Sequence, residues 1–200
     1  MVIIVSLIVT VVFICFIALI IWLVIQGGVS YEPPEKQAGR FGEQIATNVI
    51  REVLREGDNL FTNVPVYADG KQTELDNAIV NENGVFIIEV KYFSGVIHGE
   101  EDDREWTKFK TSSGGNTYVK TLKNPIHQVK REIYILSRML KDNNIKVWVE
   151  GYVFFVQMNS PVESPYILRT QRDIDNAIHK PAESTLSQQT QQQIIALLRR

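Results

Sequence analysis

Cysteine is almost absent from this chain of 200 residues, which contains one cysteine and three histidines. The cysteine, Cys15, lies within an apolar run near the N-terminus, so the polar remainder of the chain has none. This excludes a disulfide framework or a cysteine zinc site in that remainder, and it agrees with a cytosolic environment. The histidines are scattered through the sequence and form no cluster of metal-ligand spacing.

An excess of charge of either sign is also lacking. The 21 lysines and arginines nearly balance 23 acids, which leaves a formal net charge of −2. The chain as a whole therefore lacks the basic character by which many nucleic-acid-binding domains are recognised.

Basic residues are instead concentrated between Arg104 and Arg131, where Glu105 is the single acid. Aromatic residues such as Trp106 and Tyr118 are interleaved with them, a mixture that suits contacts with a nucleic-acid backbone and unstacked bases. An ordinary charged hairpin would have the same composition. The basic residues predicted to contact nucleic acid are Lys108, Lys110, Lys120, Lys123, Lys130 and Arg131.

One long apolar run occupies residues 2–25, where only Ser6 and Thr10 are polar and no residue is charged. At about 1.5 Å per residue, a helix of this length spans the hydrocarbon core of a bilayer. A cleaved signal peptide fits less well, because no basic side chain precedes the run and no small-x-small site follows it. Basic residues after the run favour a cytoplasmic body. We therefore predict a single-pass membrane protein whose C-terminal body is cytoplasmic.

The stretch Thr73–Lys91 is predicted to form two antiparallel strands joined by a tight turn. Asn81–Gly84 supplies the turn, because asparagine and glycine tolerate positive φ. The flanking residues, Leu75–Val80 and Val85–Val90, are rich in β-branched and aromatic side chains. Charged residues at the ends far from the turn are thereby placed beside an apolar sheet.

The register of this hairpin decides which charged side chains meet. Side chains alternate between the faces of a strand, so Glu89 and Lys91 share one face. If Val80 pairs with Val85, the same register sets Asp76 directly opposite Glu89. A tighter turn would shift the pairing by about two residues and set Asp76 opposite Lys91. Both registers bring two carboxylates and an ammonium together on one face.

Two carboxylates roughly 5 Å apart repel each other, and a cation between them removes that cost. Mg²⁺ typically takes one or two carboxylates together with water and phosphate oxygens. A neighbouring lysine can orient an attacking water or neutralise charge on a phosphate. The pattern therefore suits metal-assisted hydrolysis of a phosphoester, and the alternative is a solvated strand end with a surface ion pair.

Two helices are predicted beside the hairpin. Ala38–Glu56 has apolar residues at helical spacing and is followed by Gly57, while Glu43 falls at the border of its buried stripe. A second helix opens with Asn124 as its cap and a proline at its first position, and Gln128 begins its partly buried flank. Glu43 is either a boundary residue or a further acid near the sheet. Gln128 bonds either a backbone group or the site.

The remaining elements complete an α/β pattern. Strands are predicted at Leu60–Tyr67 and Val147–Met158, and short strands at 95–99 and 105–110 form a hairpin insertion before the second helix. Short helices are predicted at Asp173–His179 and Ser184–Leu198. This order indicates an α/β domain with a mixed central sheet flanked by helices. The predicted divisions are a transmembrane anchor at 1–26, a linker at 27–37, the α/β domain at 38–158 and a C-terminal extension at 159–200.

Four motifs in this order resemble the nuclease-related domain (NERD) family, a branch of the PD-(D/E)XK nuclease superfamily. The resemblance runs from about Gly39 to about Leu140 and continues more weakly through the strand at Val147. The motifs are Gly39-Arg40-Phe41-Gly42-Glu43, Thr73-Glu74-Leu75-Asp76, Gly84-Val85-Phe86-Ile87-Ile88-Glu89-Val90-Lys91 and Asn124-Pro125-Ile126-His127-Gln128.

The resemblance implies a restriction-endonuclease-like core and a DNA-hydrolysing site that uses Mg²⁺ or Mn²⁺. It assigns Asp76 and Glu89 to the metal, catalysis to Lys91, an additional acid to Glu43 and support of the site to Gln128. Two positions depart from the family pattern: Leu75 replaces a proline, and Asn77 stands where histidine is more often expected. Asn77 is predicted to face away from the carboxylates, so the metal site is expected to survive.

Three functions are compatible with these features. The first is a membrane-tethered, metal-dependent nuclease that acts on DNA. The second is a non-catalytic docking module for nucleic acid or protein, since a fold does not fix an activity. The third is a phosphohydrolase that acts on nucleotides or other phosphoesters.

Overall fold

The computed structural model describes residues 12–22, 33–112, 114–157, 159 and 162–199. The chain divides after Lys36, and Gln37–Arg200 forms a compact unit of its own. Within that unit one mixed sheet lies between two layers of helices, as the order of elements predicts.

Only part of the predicted membrane segment can be compared with the structure. Residues 12–22 are helical with exposed apolar side chains, whereas 1–11 and 23–26 lie outside the described residues. Among the helices that the described ranges contain, none is both long enough and apolar enough to cross a membrane. The transmembrane helix is therefore not supported by this structure and stays a prediction.

The central sheet has five strands in the order β1-β2-β3-β7-β8. Strands β1, β2 and β3 are antiparallel, and β3, β7 and β8 are parallel. The strands are β1 (Asn59–Ala68), β2 (Lys71–Asn81), β3 (Gly84–Lys91), β7 (Val149–Phe155) and β8 (Ile167–Leu168).

A second, three-stranded antiparallel sheet is inserted between β3 and the helix that leads to β7. Its strands are β4 (Val96–His98), β5 (Glu105–Thr111) and β6 (Thr117–Lys123). The sequence predicts the first two strands but not β6. In β6 two lysines and two threonines are mixed with apolar and aromatic residues without regular alternation, and its side chains are mostly exposed. A strand without a buried face gives little hydrophobic periodicity to read.

Four helices pack on the central sheet: α1 (Pro34–Val53), α2 (Pro125–Asp142), α3 (Gln171–His179) and α4 (Gln188–Leu198). The face carrying Val85 and Ile87 packs with α2 and α4, and the face carrying Phe86 and Ile88 packs with α1 and α3. The alternation predicted for the central hairpin is therefore confirmed.

Helix bounds differ from the predicted ones at several ends. Helix α1 begins at Pro34 rather than Ala38 and ends at Val53 rather than Glu56, and Gly57 (φ +96°) lies in the turn that follows. Helix α2 begins as predicted, because the Asn124 side chain accepts a hydrogen bond from the backbone N–H of Ile126 and proline follows Asn124. The last helix starts at Gln188 because Ser187 caps it.

Candidate functional site

Asp76 lies where the regular pairing of β2 is interrupted on both sides. Val80 pairs with Val85, which confirms the first of the two predicted registers. The pairing of β2 with β3 extends from the turn to Asn77 and does not include Asp76. On the other side, the β1–β2 pairing skips Asn63, which has a φ of +53° and lies across from Asp76. Oδ2 of Asp76 accepts a hydrogen bond of 2.7 Å from the backbone N–H of Val90. The carboxylate is thereby held against the end of β3.

Glu89 and Lys91 occupy the end of β3 on the face shared with Asp76. Glu89 is 2% exposed, and its Oε1 accepts a hydrogen bond of 2.5 Å from Lys91 Nζ. Its second oxygen, Oε2, is buried and has no hydrogen-bond partner among the described residues. A buried carboxylate oxygen without a donor is costly, so this atom marks a place where a cation would be stabilising.

Gln128 connects Lys91 to a glutamate that the sequence analysis did not identify. The amide oxygen of Gln128 accepts from Lys91 Nζ at 3.0 Å, and its Nε2 donates to Oε1 of Glu132 at 3.0 Å. Glu132 is fully buried in α2, and its Oε2 lacks a hydrogen-bond partner in the described part of the chain. The apolar residue that follows Glu132, Ile133, is only partly buried. The sequence signal for Glu132 was its position four residues after Gln128, because residues four apart lie next to each other on one face of a helix.

Glu43 approaches from α1, on the opposite side of the central sheet. Gly42 makes this approach possible, because a Cβ at that position would overlap the side chain of Tyr92, the residue after Lys91. A Cβ at Gly39, one helical turn earlier, would meet no atom within 4 Å. Glu43 is half-buried, and its pKa is raised by burial and by the charges of nearby Glu74 and Glu89. The structure therefore brings Glu43 to the same end of the sheet.

We call Glu43, Asp76, Glu89, Lys91, Gln128 and Glu132 the carboxylate site. Burial, followed by the charge of Glu89, raises the pKa of Asp76 to about 7. The same two causes raise the pKa of Glu132 to about 9. Burial and repulsion from Glu89 thus favour the protonated forms of these two carboxyl groups, and a bound cation would favour the charged forms instead.

The donor set fits one Mg²⁺ or Mn²⁺ ion held by Asp76 and Glu89. No group of three or more histidine, cysteine, aspartate or glutamate side chains within the described ranges is arranged to hold a metal. Two carboxylates are sufficient for Mg²⁺, because water and phosphate oxygens complete its coordination. The unpartnered Oε2 of Glu89 supports this fit.

The six basic residues predicted to contact nucleic acid do not form one surface. Lys108, Lys110 and Lys120 share one face of the three-stranded sheet by strand alternation, and Lys123 lies on the other face, paired with Glu105.

The last two of these residues are engaged with the protein. Lys130 binds Glu101 at 3.1 Å and lies 4.6 Å from the ring centroid of Tyr166. Arg131 donates to the backbone oxygen of Gln72. The structure therefore brings together three of the six predicted residues.

The profile of the family described as "Nuclease-related domain", abbreviated NERD, matches residues 38–156. This chain belongs to the NERD family. The predicted resemblance is confirmed, and the family is part of the PD-(D/E)XK-like nuclease superfamily. An uncharacterized protein of Bacillus anthracis is 28% identical to the NERD chain over 109 residues, 53% of this chain and 48% of the relative. This chain thus matches about half the length of that relative. No solved structure matches the chain significantly.

Proposed function

We propose that this NERD protein is a nuclease that hydrolyses phosphodiester bonds of DNA with the help of Mg²⁺ or Mn²⁺. The observation that carries the proposal is that Asp76 and Glu89 lie close enough for the charge of Glu89 to raise the pKa of Asp76, while the buried Oε2 of Glu89 receives no hydrogen bond from a nitrogen donor of the described residues. Lys91 compensates only Oε1 of Glu89, so a cation that bound Oε2 would be stabilising.

The residues of the carboxylate site have separate roles in this proposal. Asp76 and Glu89 hold the metal, which when bound activates water and polarises the phosphate. Lys91 would place its ammonium near the substrate phosphate and would neutralise the charge that develops on it. Gln128 fixes the direction of the Lys91 amine through the 3.0 Å hydrogen bond to Nζ. Glu43 supplies a further acid at the edge of the site.

The test compares cleavage of plasmid DNA by the full chain and by Asp76→Ala and Glu89→Ala variants, each with and without Mg²⁺. Both variants should lose metal-dependent cleavage. Glu82→Ala is the matched control, since Glu82 is an exposed acid in the turn of the same hairpin, at the opposite end of the strands. Unchanged cleavage by both variants would exclude the proposed site.

Thermal unfolding separates this proposal from a docking module without activity. The proposal predicts that millimolar Mg²⁺ or Mn²⁺ raises the Tm of the wild-type chain and leaves the Tm of the Asp76→Ala variant unchanged, because a ligand that binds the folded state stabilises it. Substrate comparison with nucleotides separates DNA cleavage from hydrolysis of small phosphoesters.

Tethering to a membrane through residues 2–25 is part of the proposal. Its support is the uncharged sequence of that segment and the exposure of the large apolar side chains in the helical residues 12–22. Fractionation of cells that express the full chain tests this part: release of the protein by salt alone, without detergent, would contradict it.

A further inference from the structure

Three lysines and a tyrosine line one face of the small sheet formed by β4, β5 and β6. Lys108 pairs with Lys120 across β5 and β6, and Lys110 pairs with Tyr118. Directly paired residues point to the same side of an antiparallel sheet. We call the face that carries these four residues the inner face.

The inner face adjoins the carboxylate site. Trp106 lies on the same face of β5, is fully buried, and stacks on Phe155 at the end of β7 with 6.2 Å between ring centroids. Nζ of Lys108 lies 5.5 Å from the ring centroid of Phe93, two residues after Lys91. The row of lysines therefore starts beside the end of β3 and extends away from it along β5 and β6.

Side-chain hydrogen bonds fix this sheet to the elements that carry the site. Asn124 caps α2, the helix of Gln128, and its Nδ2 also donates to the backbone oxygens of Glu101 and Asp103 just before β5. Asn159, beyond β7, donates to the backbone oxygens on both sides of Ser94, those of Phe93 and Gly95. The inner face is consequently a fixed extension of the site.

The chemistry of the inner face suits a strand whose bases are not paired. The carboxylate site repels phosphate in the absence of metal, and lysines beside it supply the attraction that a polyanion needs. Tyr118 is 60% exposed and pairs with Lys110 across β5 and β6. An exposed aromatic ring among lysines stacks an unpaired base, whereas the bases of a duplex stack on one another.

We propose that the inner face binds single-stranded DNA, with Lys108, Lys110 and Lys120 on the phosphates and one base stacked on Tyr118. This inference rests on the proposed nuclease function and specifies its substrate: DNA with a single-stranded segment beside the phosphate that is cleaved. Lys108 and Lys110 are two residues apart in β5, which corresponds to about 7 Å along the strand.

Binding by the full chain in EDTA tests the inference separately from cleavage, because it requires no metal. Fluorescence anisotropy would give Kd for labelled single-stranded DNA, blunt duplex DNA and single-stranded RNA of equal length. We expect single-stranded DNA to bind at least about 10-fold more tightly than the duplex, since stacking adds to the phosphate contacts. Equal affinity for single strand and duplex, or tighter binding of RNA than DNA, would overturn the assignment.

Two pairs of variants locate the binding surface. Tyr118→Ala should weaken binding of single-stranded DNA by about 10-fold and leave duplex binding unchanged, while Tyr118→Phe retains the affinity. Lys120→Ala should weaken binding and lower its salt dependence. Lys123→Ala is its matched control, because Lys123 is in the same strand but on the other face. Equal effects of the two lysine variants, or no effect of Tyr118→Ala, would contradict the proposal that the inner face binds single-stranded DNA.

The two proposals fail in different ways. If the Asp76→Ala variant binds single-stranded DNA like the wild type but the wild type cleaves nothing, the inner-face proposal is supported and the nuclease proposal is contradicted. If the wild type cleaves DNA and Tyr118→Ala changes neither binding nor the preference for single strands, the nuclease proposal is supported and the inner-face proposal is contradicted.

Discussion

The central sheet carries a group of acids at each of its ends, and the two groups differ in how their charge is compensated. At one end is the carboxylate site. At the other, beside the start of β1, the imidazole of His179 bridges Asp58 through Nε2 at 2.9 Å and Asp175 through Nδ1 at 2.6 Å. Arg55 adds an ion pair of 2.8 Å to Asp175. We call Arg55, Asp58, Asp175 and His179 the His179 cluster.

The comparison teaches that burial of acids does not by itself indicate function. In the His179 cluster each acid has a nitrogen donor, and the hydrogen bond from His179 lowers the pKa of Asp175. In the carboxylate site the pKa values of Asp76 and Glu132 are raised. The acids of the His179 cluster are compensated within the described residues, whereas those of the carboxylate site would be stabilised by an added cation. Substitutions at the two ends should therefore have opposite consequences.

The largest effect is expected for Asp76→Asn and Glu89→Gln, which keep the shape of each side chain and remove its charge. DNA cleavage should fall by roughly 1,000-fold or more, because the metal loses a ligand. The Tm without metal should stay equal or rise, because the repulsion between neighbouring carboxylates is relieved. Cleavage rates and thermal unfolding measure both parts. A large fall in Tm would show that these acids stabilise the fold as the His179 cluster does.

A smaller effect on activity is expected at Glu132, which acts through Gln128. Glu132→Leu removes the acceptor for Gln128 Nε2, so Lys91 is held less firmly and kcat should fall by about 10-fold with KM little changed. Glu132→Gln retains an acceptor at that position and should keep most of the activity. Steady-state kinetics on the two variants provide the measurement. Equal kcat values for the leucine and glutamine variants would show that Glu132 does not position Lys91 through Gln128.

Asp76 and Glu132 also illustrate what the sequence could and could not reveal. The Asp76–Glu89 pairing was predictable because a tight turn fixes the register of a hairpin and alternation then fixes the faces. Glu132 was not predicted because positions 132 and 133 both lie near the buried side of α2. The apolar side chain of Ile133 made it the expected core residue. Packing against the sheet decides between such neighbours, and periodicity alone does not.

The surface lysines show the same limit. The concentration of positive charge before α2 was visible in the sequence, but the separation of Lys120 from Lys123 depends on strand β6, whose exposed side chains give little periodic signal. Lys130 and Arg131 are drawn away from that surface by contacts with Glu101 and with the backbone of Gln72. Such long-range partners are set by the folded topology.

In the His179 cluster, stability rather than activity should respond. His179→Ala leaves Asp58 buried, with 5% of its side chain exposed and without its imidazole partner. Breaking a buried pair costs about 3 kcal/mol, which corresponds to a Tm lower by roughly 6–12 °C in a domain of this size. Cleavage measured well below the Tm should be unchanged. A variant with wild-type Tm would mean that the imidazole contributes little to holding α3 against the start of β1.

The smallest effect concerns pH, and its sign should differ between the two ends. The pKa of Asp76 is raised from 3.8 to about 7 and that of Glu132 from 4.5 to about 9, so the folded state favours their protonated forms. Their contribution to stability is fully present below pH 4 and is lost as pH rises through 7 to 9. Asp175 has a lowered pKa, and its contribution is lost instead as pH falls toward that value.

Without metal, the Tm of the full chain should therefore decline between pH 6 and pH 9, because the folded state holds protons on Asp76 and Glu132 that the unfolded chain has already lost in this range. Asp76→Asn and Glu132→Gln should each flatten this decline, and His179→Ala should not. Mg²⁺ should raise the Tm more at pH 8 than at pH 6, because the metal competes with protons for Asp76. A Tm that rises from pH 6 to pH 9 would mean that the carboxylate site is compensated as fully as the His179 cluster.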